Sequence, residues 1–359
     1  MNKAPNAWQG IVREYAEHLP ITDSTPIITL QEGNTPLIPV PNFVDKIGGK
    51  FSLFVKFEGL NPTCSFKDRG MTMAMSKAAE RGAKVAVCAS TGNTSAAAAA
   101  YASRAGIKCA VLIPDGKIAL GKLAQALMYG AQTVAIEGNF DQALEIVREL
   151  GQDSDIEIVN SINPFRIEGQ KTASFEICDQ LGRAPDFHFT PVGNAGNITA
   201  YWKGFKEYHS LGKISSLPKM VGFQAAGAAP IVHGSPVENP ETLATAIRIG
   251  NPASWKKAEE ARDESTGLIN AVTDDEILNA YKLISQTEGI LAEPASAASL
   301  AGVIKISQES PDLIPADSII TATLTGHGLK DPDIAIEAAG FQPIRTQATY
   351  EAVSKVLKS

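Results

Sequence analysis

The sequence predicts an α/β protein built from two three-layer αβα lobes with mostly parallel, twisted sheets. The chain has 359 residues, which corresponds to about two domains at roughly 150 residues each. Segments with strand character alternate with helical segments of about ten to fifteen residues, as in βαβ units. The strands are uninterrupted apolar runs such as CAVLI (residues 109–113), which are typical of a sheet covered by helices on both faces.

In the first half of the chain, short apolar runs predict strands at Leu53–Phe57, Val85–Ala89, Cys109–Ile113, Thr133–Ile136 and Ile156–Val159. The segments between them predict helices over Lys67–Arg81, Asn93–Arg104, 119–129 and Phe140–Leu150. The face of the first helix that carries Met71 and Met75 is apolar, so we expect it to pack in the core.

The second half repeats the alternation. Strands are predicted at Phe187–Val192, Met220–Gln224 and Ser318–Leu324, and helices over Thr273–Thr287 and Ala295–Ser307. Thr273 followed by Glu276 predicts a capping box at the start of its helix. The proline-containing stretch 227–266 is expected to be irregular at first, and its charged run KKAEEARDE (residues 256–264) predicts a solvated helix face.

Composition excludes several classes of function. Lys and Arg total 32 and Asp and Glu total 39, so the net charge of −7 argues against general binding to nucleic acid or anionic membranes. The first ten residues lack the apolar region of a signal peptide, and no run of 18 apolar residues predicts a membrane span. The four cysteines lack CxxC spacing and the five histidines are scattered, so we expect reduced thiols, a cytoplasmic protein and no metal site.

The segment NPTCSFKDRG (residues 61–70) places Lys67 at the start of a predicted helix, directly after a turn. The positive end of the helix dipole and burial would both lower the pKa of this amine. A neutral amine is what imine chemistry requires. The segment alone is equally compatible with an ordinary solvated lysine near a helix start.

Three further loops follow predicted strands. STGNTS (residues 90–95) and GNAGN (residues 193–197) each precede a helix, where backbone N–H groups bind anions, although an N-cap or a tight turn would also explain either loop. TLTGHGLKD (residues 323–331) places Thr325 at the carboxyl edge of a sheet, and its Gly326 and Gly328 are expected to leave room for a flat ring. His327 receives no role. Together, the loops predict one crevice that binds phosphate and carboxylate groups.

SFKDRG, STGNTS, GNAGN and TGHGLKD, in this order, resemble the motifs of pyridoxal-phosphate enzymes of the tryptophan-synthase-β fold, also called fold type II. EGNTPL (residues 32–37) and the pairing of GNAGN with TLTGHGLKDP are most similar to the threonine synthase branch of that family. The resemblance extends from about residue 30 to 341. It implies a pyridoxal 5'-phosphate cofactor, a homodimer, a large domain of residues 1–58 and 160–359, and a smaller domain of residues 59–159, with the active site between them.

The resemblance also implies cofactor-binding roles. Lys67 would form the Schiff base, Asn93 would bind the 3-hydroxyl oxygen of the ring, and Thr325 would meet the pyridine nitrogen. The cofactor phosphate would be held by Gly193, Asn194, Ala195, Gly196 and Asn197. Because a threonine hydroxyl can donate to an unprotonated nitrogen, we expect a milder electron sink than an Asp partner would give.

The implied reaction converts O-phospho-L-homoserine and water into L-threonine and phosphate, with Lys67 as the catalytic base. Ser90 and Thr91 would bind the substrate carboxylate. The substrate phosphate would be bound by Thr94, Ser161 and Arg166. Arg166 offers a planar fork suited to phosphate, although an exposed salt bridge is an alternative for this residue.

One position departs from the family pattern, because Cys64 stands where the family usually has Gly. If that position requires a positive φ, Cys64 strains the loop by ~1–3 kcal/mol. A thiol near the cofactor would also be sensitive to oxidation.

Two other functions remain open at this stage. A threonine or serine dehydratase would use the same fold and lysine, with a phosphate loop richer in glycine. A non-catalytic two-lobe protein that binds a nucleotide or an amino acid would use the same anion-binding loops without imine chemistry.

Overall fold

The computed structural model describes residues 7–115, 120–138, 140–341 and 343–358, without the side chains of residues 120–122, 140 and 141. The α-helices are α1 (Ile11–Glu14), α2 (Pro41–Ile47), α3 (Lys67–Glu80), α4 (Asn93–Ala105), α5 (Leu120–Met128), α6 (Phe140–Leu150), α7 (Pro164–Leu181), α8 (Gly196–Ser210), α9 (Pro230–His233), α10 (Trp255–Glu264), α11 (Asp274–Glu288), α12 (Pro294–Glu309), α13 (Pro332–Ala339) and α14 (Tyr350–Leu357).

The strands form two separate sheets. They are β1 (Leu37–Pro39), β2 (Ser52–Phe57), β3 (Val85–Ala89), β4 (Lys108–Pro114), β5 (Gln132–Ile136), β6 (Ile156–Ile158), β7 (Phe187–Pro191), β8 (Lys219–Ala225), β9 (Leu268–Val272) and β10 (Ile319–Leu324). The larger sheet has the order β1-β2-β10-β7-β8-β9, and the smaller has the order β5-β4-β3-β6. Only the β1–β2 pair is antiparallel among the described strands, so the predicted mostly parallel architecture is confirmed.

The predicted helices and strands lie within two residues of the observed bounds wherever the structure describes them; residue 119 lies outside the described residues. The capping box at Thr273 and Glu276 is present. Other elements, such as β9 and the 18-residue α7, do not stand out in the sequence. The helical periodicity of α7 is weak because it buries polar side chains, including Lys171, Thr172 and Glu176, beside apolar ones.

Alternating side chains cover both faces of the smaller sheet. Ala86 and Cys88 pack in the cluster that contains the alanine-rich α4, whereas Val87 and Ala89 pack with Ala143 and Val147 of α6. In the larger sheet, Ile320 and Phe223 pack in the cluster of α12, while Met220 packs with α8. Each sheet is therefore the middle layer of an αβα sandwich.

The described residues form neither a membrane-spanning helix nor a cluster of side chains that could bind a metal ion. Over the described ranges, every helix is too short or too polar to cross a membrane. Within the same ranges, no three His, Cys, Asp or Glu side chains lie close enough together to hold a metal ion.

The close packing of α3 on α7 brings the beginnings of these helices together. Gly169 of α7 has no β-carbon, and any β-carbon there would overlap the carbonyl oxygen of Arg69. Gly70 of α3 lies against the backbone of Arg166 in the same way. Lys67, the first residue of α3, and Arg166, in the first turn of α7, are consequently near neighbours.

A buried charge network lies at the base of this helix pair. Arg69 donates to Glu58 at 2.7 Å and to Glu176 at 2.6 Å, and Lys56 donates to Glu176 at 2.8 Å. Thr35, within the EGNTPL segment, also donates to Glu58 at 2.7 Å. Two cations and two anions thus pair in the interior and tie β2, α3 and α7 together.

Candidate active site

The loop that precedes Lys67 is hydrogen-bonded to the TLTGHGLKD loop. The amide of Phe66 donates to the carbonyl oxygen of Thr325 at 2.9 Å, and the amide of His327 donates to that of Cys64 at 3.0 Å. Ser65 and Gly326 form an isolated antiparallel bridge between these two contacts. Lys67 and Thr325, which are 258 positions apart in the sequence (325 minus 67), therefore meet at one place.

The other predicted loops are tied to the same place through asparagine side chains. Asn160 donates to the carbonyl and accepts from the amide of Ala89, both at 3.0 Å, so the start of STGNTS is bound to the loop that contains Ser161. Asn194 of GNAGN donates to the hydroxyl of Ser161 at 2.7 Å. Asn93 donates to Glu293, which directly precedes α12. Hydrogen bonds thus tie these sequence-predicted segments to one another.

Lys67 has the electrostatic surroundings of a reactive amine. Burial and, to a smaller extent, the charge of Arg166 lower its pKa to about 7, while Glu293 acts in the opposite direction. Its Nζ atom lies 4.0 Å from the ring centroid of Phe66. A large fraction of this amine is neutral near neutral pH, and a solvated lysine would not behave in this way.

Arg166 is a buried cation that has no counter-charge among the described residues. It is 2% exposed, its Nη1 donates to the carbonyl of Val159 at 3.3 Å, and its buried Nε has no partner among the described residues. Burial lowers its pKa to about 10. No carboxylate of the described residues lies within salt-bridge distance, so the exposed salt bridge considered from the sequence is wrong. Such a guanidinium is poised for an anion that arrives with a ligand.

The GNAGN loop has the form of a phosphate cradle. Ala195, with φ 61°, is the N-cap of α8 and provides no side-chain cap, so the first-turn amides of this helix keep their donors free. Packing against the backbone of Ile247 requires a glycine at position 193, because a β-carbon there would lie 2.9 Å from Cα of Ile247. These features fit the phosphate of a cofactor.

The STGNTS loop presents a second set of free amides. Gly92 is the N-cap of α4 and carries no capping side chain, so an ordinary Ser, Thr or Asn cap does not explain this sequence. Ser90, Thr91 and Thr94 are partly exposed beside that helix start. The arrangement suits a carboxylate, which the amides and hydroxyls would share.

Glu293 is a site residue that sequence reasoning missed. It is 5% exposed, and both of its carboxylate oxygens accept from Nδ2 of Asn93, at 3.1 and 3.0 Å. Burial raises its pKa, opposed by the hydrogen bond from Asn93 and by the charges of Lys330 and Lys67. The signal available in the sequence was a single carboxylate before proline in the otherwise apolar run LAEPASAASL (residues 291–300).

The glycines of the TLTGHGLKD loop make room for protein atoms. A β-carbon on Gly326 would lie 2.5 Å from the carboxyl carbon of Glu293, and one on Gly328 would overlap the side chain of Leu291. The expectation that these glycines leave space for a flat ring is therefore wrong. His327 stacks on Phe57 with ring centroids 5.7 Å apart, which is a packing role.

Cys64 adopts the left-handed conformation that the sequence left open. Its φ is 64°, so the position does require a positive φ and the cysteine strains the loop. Thr63, the preceding residue, is held by buried Asp68, which accepts from its amide at 2.6 Å and from its hydroxyl. Burial raises the pKa of Asp68 to about 7, while the hydrogen bonds from Thr63 act to lower it.

Comparisons with known proteins place this chain in a family. The family model described as "Pyridoxal-phosphate dependent enzyme" matches residues 28–326. The chain belongs to this family of pyridoxal-phosphate dependent enzymes. Its curated relatives include proteins named threonine synthase: one from Halalkalibacterium halodurans is 60% identical, over 94% of each chain, and one from Synechocystis sp. is 59% identical, over 93% of this chain and 87% of the relative. They confirm the resemblance carried by the four motifs.

Solved structures of other proteins share the fold. Threonine deaminase isoform 2 from Solanum lycopersicum superposes with a TM-score of 0.73 at 21% identity, covering 92% of this chain and 94% of that one. Maize serine racemase gives a TM-score of 0.73 at 20% identity, covering 88% and 95%. The predicted fold class is confirmed, while identities this low carry no information about the substrate.

Proposed function

We propose that this chain is a threonine synthase that converts O-phospho-L-homoserine and water into L-threonine and phosphate. The observation that carries the proposal is the unpaired, buried guanidinium of Arg166 beside the low-pKa amine of Lys67. A substrate with a phosphate on its γ-oxygen supplies the missing anion, whereas threonine and serine do not. The relatives named threonine synthase support the same substrate.

The residues of the crevice fit pyridoxal phosphate. Lys67 would bind its aldehyde carbon covalently, Asn93 and Thr325 would contact the polar edge of its ring, and Gly193, Asn194, Ala195, Gly196 and Asn197 would hold its phosphate. When bound, the cofactor supplies an electron sink that stabilises negative charge next to the substrate amine.

The amine of Lys67 would accept and donate the protons that move during the reaction. Once free of its covalent bond, the neutral Nζ would accept the α-proton, release it, and only then accept the β-proton; the γ-carbon, after the phosphate has left, and the α-carbon would be protonated again before threonine is released. A pKa near 7 lets the same atom accept and return protons at neutral pH. Water then adds at the β-carbon, after the γ-phosphate has left.

Two groups of side chains hold the ends of the substrate. Ser90, Thr91 and the first-turn amides of α4 would bind the carboxylate. Arg166, Ser161 and Thr94 would bind the phosphate, whose negative charge grows as the carbon–oxygen bond breaks, so that a preorganised guanidinium stabilises the departure.

The test uses the purified holoenzyme with borohydride and two substrates. Borohydride should fix the cofactor onto the peptide that contains Lys67, and phosphate should appear from phosphohomoserine faster than 2-oxobutyrate appears from threonine. The opposite order of rates would favour a dehydratase. A colourless protein that takes up no cofactor would favour a non-catalytic binding protein.

Lys67→Ala should lower turnover by at least about 10³-fold without lowering the thermal midpoint of unfolding, because the general base is lost while the core is intact. Lys84→Ala, which removes a lysine whose side chain is 71% exposed, serves as the matched control and should retain full activity. Full activity in Lys67→Ala would refute the proposed role of this amine.

The proposal extends to organisation and assembly. The site would lie between a large domain of residues 1–58 and 160–359 and a smaller domain of residues 59–159. Exposed large apolar side chains near the end of the chain support a homodimer: Leu329, Ile336, Phe341, Ile344, Tyr350 and Leu357. Four free cysteines support a reducing, cytoplasmic location. Sedimentation equilibrium at two protein concentrations tests the dimer.

A further inference from the structure

The carboxylate of Glu293 has an unusual environment for a buried charge. The residue is the N-cap of α12, yet its side chain does not cap that helix. Within the described ranges, no Lys, Arg or His nitrogen lies within salt-bridge distance of it. A buried carboxylate without an ion pair is retained only where neutral donors satisfy it.

Its donors come from two of the cofactor-binding segments. Asn93, at the start of α4, donates from Nδ2 to both carboxylate oxygens, and Thr325, after β10, donates to Oε1 at 3.4 Å. The hydroxyl of Ser296 lies 3.0 Å from that of Thr325 and fixes it from the other side. One carboxylate therefore contacts both residues assigned to the polar edge of the cofactor ring.

The backbone reserves the space that this carboxylate occupies. The amide of Glu293 donates to the carbonyl of Gly326 at 2.9 Å, so the two segments are in register. A β-carbon on Gly326 would lie 2.5–2.7 Å from the carboxyl carbon and both of its oxygens. A substitution at Gly326 would consequently displace the carboxylate without changing its chemistry.

We propose that Glu293 is a positioning residue for the cofactor ring, acting through Asn93; this inference rests on the proposed function. A carboxylate only accepts hydrogen bonds, so it forces the amide of Asn93 to turn its NH2 group inward. One N–H then binds the carboxylate and the other is directed to the 3-oxygen of the ring. Without Glu293 the amide is free to flip and present its oxygen to another oxygen, which is repulsive.

The test removes the cofactor from the purified holoenzyme and adds it back, with the visible absorbance as readout. Glu293→Ala should weaken cofactor binding about 10-fold and shift the visible band, as expected for the loss of a charged hydrogen-bond partner. Glu293→Gln keeps an acceptor oxygen, so its cofactor affinity should lie between those of the wild type and Glu293→Ala. Glu309→Gln, at the far end of the same helix and 63% exposed, should match the wild type.

A double-mutant cycle separates positioning from a general structural role. If Glu293 acts through Asn93, the double variant Glu293→Ala/Asn93→Ala should bind the cofactor no more weakly than Asn93→Ala alone. Gly326→Ala should reproduce the band shift in the wild-type background and have less effect in Glu293→Ala, where the clash is absent.

Independent, additive losses in the cycle would overturn the inference. So would an unchanged band and affinity in Glu293→Ala accompanied only by a lower thermal midpoint of unfolding. Failure of the proposed function would look different, because the wild type itself would then take up no cofactor or release no phosphate.

Discussion

Two buried arginines lie on neighbouring helices and have opposite surroundings. Arg69, in the first turn of α3, is fully buried and donates to two glutamates. Arg166, in the first turn of α7, is 2% exposed and has no carboxylate partner among the described residues. Burial acts to lower the pKa of both, but Glu176 and Glu58 more than offset this for Arg69 and raise its pKa.

The difference separates a structural charge from a functional one. Removing one partner of a buried ion pair strands the other, so Arg69 and its network hold β2, α3 and α7 together. An unpaired buried cation has no such role in the ligand-free protein and opposes folding. Its presence is explained by an anion that binds during function, because preorganised charge is what a transition state with growing negative charge requires.

The largest expected effect is on stability and comes from removing Arg69, the arginine that is paired with glutamates. Arg69→Met should lower the free energy of unfolding by about 3–5 kcal/mol, because it strands Glu58 in the interior and leaves Glu176 with Lys56 as its cation. Urea denaturation of the ligand-free protein measures this loss. Arg81→Met, at the end of the same helix and 54% exposed, is the matched control and should change stability by less than about 0.5 kcal/mol. A similar, small loss for both variants would contradict the structural role.

Removing Arg166, the arginine without a carboxylate partner among the described residues, should change the stability in the opposite sense. Arg166→Met should leave the ligand-free protein as stable or stabilise it by up to about 1–4 kcal/mol, since a buried charge without a partner is removed. The kcat/KM for phosphohomoserine should fall about 10- to 100-fold with the lost charged hydrogen bonds. Inorganic phosphate should raise the thermal midpoint of the wild-type holoenzyme but not that of the variant. Equal stabilisation of both by phosphate would show that the anion binds elsewhere.

Burial, together with the charge of Arg166, sets the pH response of Lys67. Because the pKa of Lys67 is lowered to about 7, the rate of cofactor incorporation should rise with pH and level off above about 7, rather than near 10.5. The linked contribution to stability has the same sign: it is fully present above the unfolded pKa of 10.5 and is lost as pH falls through about 7.

In Arg166→Met, the midpoint of that rate profile should move to higher pH while staying below 10.5, because burial still acts on Lys67. Stopped-flow absorbance across pH 6 to 10 is the measurement. Lys84→Ala should reproduce the wild-type profile. An unmoved midpoint in Arg166→Met would mean that burial alone sets this pKa.

Much of the fold and of the site was accessible from the sequence because its signals are local. Apolar runs and helical periodicity predicted the described strands of both sheets other than β1 and β9. The residue types at strand-to-helix junctions predicted that Lys67 and the anion-binding loops lie together. The Thr273 capping box was readable for the same reason, since all of its partners lie within one turn.

What the sequence did not reveal depends on distant partners. The role proposed for Glu293 depends on its contact with Asn93, 200 positions away, and nothing in the segment around Glu293 indicates that contact. The electrostatic state of Arg166 depends on its burial and on the lack of a nearby carboxylate in the part of the chain that the structure describes. Helix α7 was hidden because it buries the polar partners of the charge network, which erases its amphipathic pattern.

The smallest expected effect concerns the strain beside Lys67. Cys64 and Ala195 both have positive φ, 64° and 61°, and both lie in loops of the site and not in the charge network. Cys64→Gly should raise the free energy of unfolding by about 0.5–1 kcal/mol, the left-handed strain of ~1–2 kcal/mol being partly offset by the greater freedom of glycine in the unfolded chain.

The variant Cys64→Ala distinguishes the effect of backbone strain from the effect of removing the thiol. Both substitutions remove the sulfur, but alanine keeps the β-carbon that makes a positive φ unfavourable. Thermal unfolding of the three proteins should therefore rank Cys64→Gly above the wild type, with Cys64→Ala no more stable than the wild type. Stabilisation by both variants would assign the effect to the thiol, and the strain would then not be what distinguishes the site loops from the network.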